Sequence, residues 1–151
     1  MPSDTAMPSK ECNCLALRQA ARHVTQFYDH SLQPAGVTAN QFGLLARLHA
    51  ASLGGSDGIS IGVMAESIGM DPTTLNRNLK PLEAMDWVRV VPDTTDARVR
   101  KVRMTDEGQR TLLKALPFWR QAQARLRKSL GLQAVTDLNE LLDRSAIDLT
   151  H

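Results

Sequence analysis

The residues best suited to chemistry fall in two short stretches. In the first, Asp71-Pro72-Thr73-Thr74-Leu75-Asn76-Arg77-Asn78-Leu79-Lys80, a helix-start signal meets two stripes of opposite character. Asp71 is an N-cap residue, and Pro72 suits the first helical position, where a missing N–H costs nothing. On the helical period Leu75, Leu79 and Leu82 face one way, and Thr73, Thr74, Asn76, Arg77 and Lys80 face the other. The outward types are all hydrogen-bonding or cationic, without a carboxylate. Arg can bond guanine edges bidentately, Asn can bond adenine, and Thr can bond a phosphate or touch a thymine methyl. Such a face suits the major groove of DNA; the bland alternative is a solvated helix face. The second stretch, Asp93 to Arg103, carries Arg98, Arg100, Lys101 and Arg103, with Arg89 just before it. A basic hairpin there could follow the DNA backbone and push Arg98 into a narrow minor groove, which attracts cations. Asp96 would repel phosphate, so it needs a structural task. A charge-assisted bond that orients Arg98 and braces the turn supplies one.

Other reactive types assemble less. Cys12 and Cys14 are the two cysteines and are two positions apart. In a reducing compartment they are thiols rather than a disulfide. A position near a helix N-terminus, where Cys14 stands, could lower a thiol pKa. Oxidation could also link two subunits through the two cysteines. The histidines are His23, His30, His49 and His151. His23 and His30 share a helix face but stand too far apart to share a metal, and no short-spaced pair of zinc-finger type exists, so no metal and no cofactor are expected. Gly54-Gly55-Ser56-Asp57-Gly58 matches the G-x-S-x-G of hydrolases. That motif works on a turn from buried strand to helix, whereas here a helical segment precedes a glycine-rich loop. No nucleophile, base and orienting group come together, and an enzyme is not expected.

The positioning elements follow from punctuation and period. Residues 1–10 read as a disordered tail, and 11–151 as a single domain. A helix over about 12–33 carries Leu17, Ala20, Ala21, Val24, Phe27 and Tyr28 on one face and ends at Pro34 and Gly36. Thr38 caps a second helix with Phe42, Leu45 and Leu48 inward. Ser60 caps a short third helix with Ile61, Met64, Ala65 and Ile68 inward, and Gly69 stops it. The helix opened by Asp71 follows at once, to about Met85, so the pair has the helix-turn-helix arrangement. Val88–Val91 and Val99–Met104 read as two strands of a β-hairpin, a wing, completing a DNA-binding lobe over about 55–105. Thr105 caps a long helix to about Ser129, which Pro117 should kink. Gly131 separates it from a last helix reaching Leu149, so 106–149 is helical. Trp87 and Trp119 read as core or interface residues, with Trp119 able to line an effector pocket. The fold class is mainly α with a small β-hairpin wing, flanked by N- and C-terminal helices. A formal charge of +2, from 18 basic and 16 acidic residues, does not announce a nucleic-acid partner; the placement of charge does. No apolar run reaches the ~20 residues of a membrane span, and the N-terminus lacks a signal-peptide core. A cytoplasmic protein with no membrane partner is expected.

Ala65-Glu66-Ser67-Ile68-Gly69-Met70-Asp71, Thr74-Leu75-Asn76-Arg77-Asn78-Leu79, Asp93-Thr94-Thr95-Asp96-Ala97-Arg98 and Val102-Arg103-Met104-Thr105-Asp106-Glu107-Gly108 resemble, in this order, the core of the MarR family of winged-helix regulators. The resemblance implies a homodimer interlocked through its terminal helices. Each lobe would bind half of a pseudo-palindromic DNA operator, with half-sites about one helical turn apart. It implies DNA-contact roles for Thr74, Arg77, Asp96 and Arg98, and a small aromatic or phenolic effector; a repressor is the leading reading, and the motifs fit an activator equally. Asp86 stands where the family usually has Gly, and Pro81 lies inside the recognition helix. Cys14-Leu15-Ala16-Leu17, followed by Ala21-Arg22, also resembles the organic-hydroperoxide-sensing branch, whose peroxide-sensing cysteine stands at the position of Cys14 and is supported by tyrosines; the resemblance makes Cys14, with Cys12, the redox candidate. The positions matching the tyrosines are Ala39 and Phe42, and only Tyr28 remains. The readings left open are an effector-released repressor, a redox regulator using Cys14, and a winged helix used for protein contact.

Overall fold

The computed structural model describes residues 12–148. The tail expected over 1–10 and the helix end expected at Leu149 lie outside them. In chain order the elements are α1 (Asn13–Leu32), α2 (Ala39–Leu53), β1 (Ile59–Ser60), α3 (Ile61–Ser67), α4 (Pro72–Ala84), β2 (Val88–Pro92), β3 (Arg100–Met104), α5 (Asp106–Leu130) and α6 (Leu132–Asp148). Several helices begin or end for a local reason. Past α1 the chain tightens into one turn over Gln33–Ala35 and is released by Gly36 at φ 74°. Helix α2 opens on a reciprocal capping box: Thr38 Oγ1 accepts the Gln41 N–H, and Gln41 Oε1 accepts the Thr38 N–H. Ser60, Asp71 and Thr105 cap α3, α4 and α5 through their side chains. Helices α4 and α5 continue through Pro81 and Pro117 as single elements.

The wing is a three-stranded antiparallel sheet in the order β1-β3-β2, not the two-stranded hairpin of the sequence reading. Val102 pairs with Val90 on one side and Ile59 on the other. It is therefore central and fully buried. A two-residue strand is too short to show alternation, and Ser60 does double duty as strand end and cap. Strand β3 starts at Arg100 rather than Val99. Val99 instead closes the turn, donating its N–H to the Asp96 carbonyl and accepting the Asp93 N–H.

The core is aliphatic and lies between the lobe and the first half of α5. Leu32, Leu44, Leu45 and Leu48 meet Met64, Leu75, Leu79 and Leu82, and Trp87, Val88, Val102, Leu112 and Ala115 close it. Each such Leu contributes about 1.5–3 kcal/mol by burial. The terminal helices behave differently. Leu15, Leu17 and Val24 of α1 and Leu132, Leu138, Leu141 and Leu142 of α6 are exposed. Their apolar stripes have the period of a packed face, yet much of that surface is left open to solvent.

One close approach joins the wing to α5. The Thr105 N–H donates to the Trp87 carbonyl at 3.0 Å, and its hydroxyl donates to the Asp86 carbonyl. Gly108 lies directly beneath, where a Cβ would sit 2.1 Å from the Trp87 oxygen. Asp86 makes the turn before β2 at φ 54°. The left-handed conformation expected from glycine at that place is thus kept by a residue that tolerates it.

Candidate nucleic-acid interface

Helix α4 is anchored by its leucines: Leu75, Leu79 and Leu82 are fully buried. That fixes its rotation and turns Thr73, Asn76, Arg77 and Lys80 to solvent. Thr74 departs from expectation. It is half-buried, and its hydroxyl donates to Asp71 Oδ2 at 2.6 Å while its N–H donates to Oδ1 at 2.9 Å. Only the hydroxyl lone pairs are left for another partner. These two bonds hold the Asp71 carboxyl below the usual carboxylate range, and the ionised cap favours the helix dipole. Lys80 lies 3.9 Å from Glu83, a loose pair at the surface. Asn76 of α4 and Arg100 of the wing line one groove of about 640 Å³, together with Val63 and Glu66 of α3 and Val99. Helix and hairpin therefore share one surface.

At the tip, the Asp96 carboxylate clasps Arg98. Arg98 Nε donates to Oδ1 at 3.1 Å, Nη2 to Oδ2 at 3.3 Å, and the Arg98 N–H to Oδ1 at 3.1 Å. The guanidinium beside it lowers the Asp96 pKa. The Arg98 side chain stays 91% exposed. This is the brace anticipated for Asp96, and it leaves the cation outermost. Arg100 is exposed, with Nη2 3.2 Å from the Val90 carbonyl. Arg89 leans on Asp86 at 3.4 Å.

The hairpin is less uniformly basic outward than its composition suggests. Lys101 Nζ lies 2.8 Å from Asp57 Oδ1 and 3.0 Å from Asp93 Oδ1, with its side chain 22% exposed. Arg103 Nη2 pairs with Asp57 Oδ2. Asp93 also accepts the hydroxyl and N–H of Thr95. Its Thr95 bond, then Lys101, holds its carboxyl far below the usual range. Asp57 was missed by sequence reasoning, which saw only a glycine-rich loop around it. Nothing in the sequence singled it out; in the fold the loop approaches the wing closely because at Gly58 a Cβ would lie 2.7 Å from the Val102 carbonyl oxygen. Ser56, the hydroxyl of the hydrolase-like motif, donates to the Gly58 carbonyl at 2.6 Å. A helix precedes that loop and a strand follows it, the reverse of a nucleophile elbow.

Cys12 is the N-cap of α1, and both Cys12 and Cys14 are exposed free thiols. At the positions matching the tyrosines, the Ala39 N–H bonds Asp29 Oδ1 at 2.7 Å, and Phe42 stacks on Trp119 at 5.7 Å. Trp119 is thus committed to Phe42. Tyr28, whose pKa is raised by burial, lines a different, apolar cleft of about 380 Å³ with Leu17, Val24, Leu126, Val135 and Leu138.

A helix-turn-helix followed by a three-stranded wing defines a winged-helix protein. The model of the MarR family matches residues 35–99. The chain is 34% identical to the Mycobacterium tuberculosis transcriptional regulator MosR, solved in complex with DNA, with 93% of this chain and 100% of that one covered and a TM-score of 0.78. The transcriptional repressor CouR, bound to a 23-mer DNA duplex, matches at 25% identity over 95% and 99% of the two chains, TM-score 0.78. A mutant MarR from E. coli with operator DNA shares the fold at 22% identity, over 92% and 98%, TM-score 0.78. Among curated proteins none matches. The chain belongs to the MarR family of winged-helix transcriptional regulators. Among the described residues no helix is long and apolar enough to cross a membrane.

Proposed function

We propose that the chain is a homodimeric, sequence-specific DNA-binding regulator acting in the cytoplasm, a repressor that a small effector releases from its operator. The observation that carries this reading is the shared surface of α4 and the wing. Thr73, Asn76, Arg77 and Lys80 are exposed on the helix, and Arg98 and Arg100 on the hairpin. Solved relatives at 34% and 25% identity sit on DNA, which supports it. Base edges would be read by Thr73, Asn76 and Arg77, with Thr74 limited to accepting. Arg98 would enter the minor groove.

The uncovered stripes of α1 and α6 supply the dimer contact, and two lobes then meet two half-sites of a pseudo-palindrome. The cleft beside Tyr28 has room for a small aromatic molecule. An effector that prefers a dimer with misplaced wings would shift the population away from the DNA-competent spacing. Fluorescence anisotropy on a labelled duplex from the protein's own upstream region, titrated in salt, tests this. Tight binding that falls steeply with salt and weakens in Arg98→Ala is expected. No binding above a randomised pool would overturn it and favour a protein-interaction module.

A second reading rests on the two exposed thiols at the start of α1. If Cys14, with Cys12, is the switch, mild oxidation lowers operator affinity in the wild type and leaves Cys14→Ser unchanged.

A further inference from the structure

The wing tip has no apolar anchor. Thr94, Thr95, Ala97, Arg98 and Val99 are all exposed. A hairpin end without buried side chains keeps its position only through polar contacts with its base. Here those contacts form one continuous relay. It starts at Asp57, in the loop before β1, which takes Lys101 on one oxygen and Arg103 on the other. Lys101 reaches on to Asp93 Oδ1 at 3.0 Å. The second oxygen of Asp93 accepts the Thr95 hydroxyl and the N–H groups of Thr95 and Asp96, which shapes the turn. Asp96 then holds Arg98. The loop can approach closely only because residue 58 is glycine. A Cβ there would lie 2.7 Å from the Val102 oxygen and 2.9 Å from Arg103 Cγ.

We propose that Asp57, acting through Lys101 and Asp93, is a positioning residue that sets where the wing carries Arg98, and that Lys101 and Arg103 are internal counterions rather than DNA contacts. The inference rests on the DNA-binding reading above and says which wing residues serve it. Its sign is diagnostic. An acidic side chain with no positioning role near DNA repels phosphate, so its removal tightens binding. Removing a positioning carboxylate weakens binding while leaving the salt dependence unchanged, because no phosphate contact is lost.

The test uses the full chain and the operator duplex, with anisotropy titrations over a series of KCl concentrations. Asp57→Asn is expected to raise Kd by about 3- to 10-fold, the scale of one disturbed network contact. Its slope of log K against log salt stays at the wild-type value. Lys101→Gln is expected to weaken binding with the slope again unchanged. A phosphate contact by Lys101 would instead lower the slope by about 0.9 per protomer, about 1.8 per dimer. Lys101→Arg, which keeps a cation between the two carboxylates, is expected to restore most of the affinity. Unchanged or tighter binding by Asp57→Asn overturns the proposal, as does a slope loss of about 1.8 in Lys101→Gln. If thermal melting shows that Asp57→Asn does not fold, the Lys101→Gln slope decides. A wild type that binds no duplex removes the DNA reading itself. Wild-type binding with an indifferent Asp57→Asn removes only this inference.

Discussion

Replacing Gly108 by Ala sets two ordinary effects against each other, and the structure decides between them. An Ala in a helix is favoured over Gly by about 1 kcal/mol. At position 108 the added Cβ would lie 2.1 Å from the Trp87 carbonyl oxygen, 2.9 Å from its carbon and 3.0 Å from Met104 Cγ. Ordinary carbon–oxygen contacts need about 3.3–3.6 Å, so the first turn of α5 must retreat by more than about 1 Å. The carbonyl cannot swing aside without losing the Thr105 N–H it accepts at 3.0 Å. Overpacking costs about 1–3 kcal/mol, and a carbonyl left unpaired costs about 1–3 kcal/mol more. After the propensity gain, the net loss is about 1–5 kcal/mol. For a chain of this size that is roughly 2–20 °C in melting temperature. Thermal unfolding followed by circular dichroism, at one fixed protein concentration, measures it. Gly43→Ala in α2 is the control, because nothing lies within 4 Å of its Cβ position. It should gain up to about 1 kcal/mol. A Gly108→Ala melting temperature at or above the wild-type value would refute the reasoning.

Asp71→Ala removes the α4 cap and frees the Thr74 hydroxyl; a loss of about 1 kcal/mol is expected, read in the same melts. Leu17→Glu puts a charge into the exposed α1 stripe and should turn a dimer into a monomer in sedimentation velocity; an unchanged sedimentation coefficient would move the interface elsewhere. Acid should loosen the wing, and the sign follows from the direction of the shifts. Asp57, Asp93 and Asp96 all have folded-state pKa values lowered from 3.8. The stability they add is present above the unfolded carboxylate pKa and is lost progressively as pH falls from about 5 through the lowered folded values. Melting temperatures at pH 7, 5 and 3 should therefore show the wing's share begin to fall only in the last step, and a smaller last step in Asp93→Asn.

Much of the lobe was legible in the sequence because its signals are local. Thr38, Ser60, Asp71 and Thr105 cap by bonding N–H groups three residues away, so residue type and offset suffice to find them. The leucine spacing of α4 fixed which side chains face out, and Asp96 two positions before Arg98 was enough to expect the brace. Other features depend on residues far apart in the chain. Strand β1 exists only because β3 lies alongside it. Asp57 meets Lys101 and Arg103 across more than forty positions, a pairing that carries no periodicity, so two cations that composition would assign to DNA turn inward instead. Thr74 looked free until the ionised cap accepted its hydroxyl hydrogen bond. Capping and helical period are properties of neighbours along the chain, which the sequence states directly. Partners in charge and close packing are chosen in space, and only the folded chain chooses them.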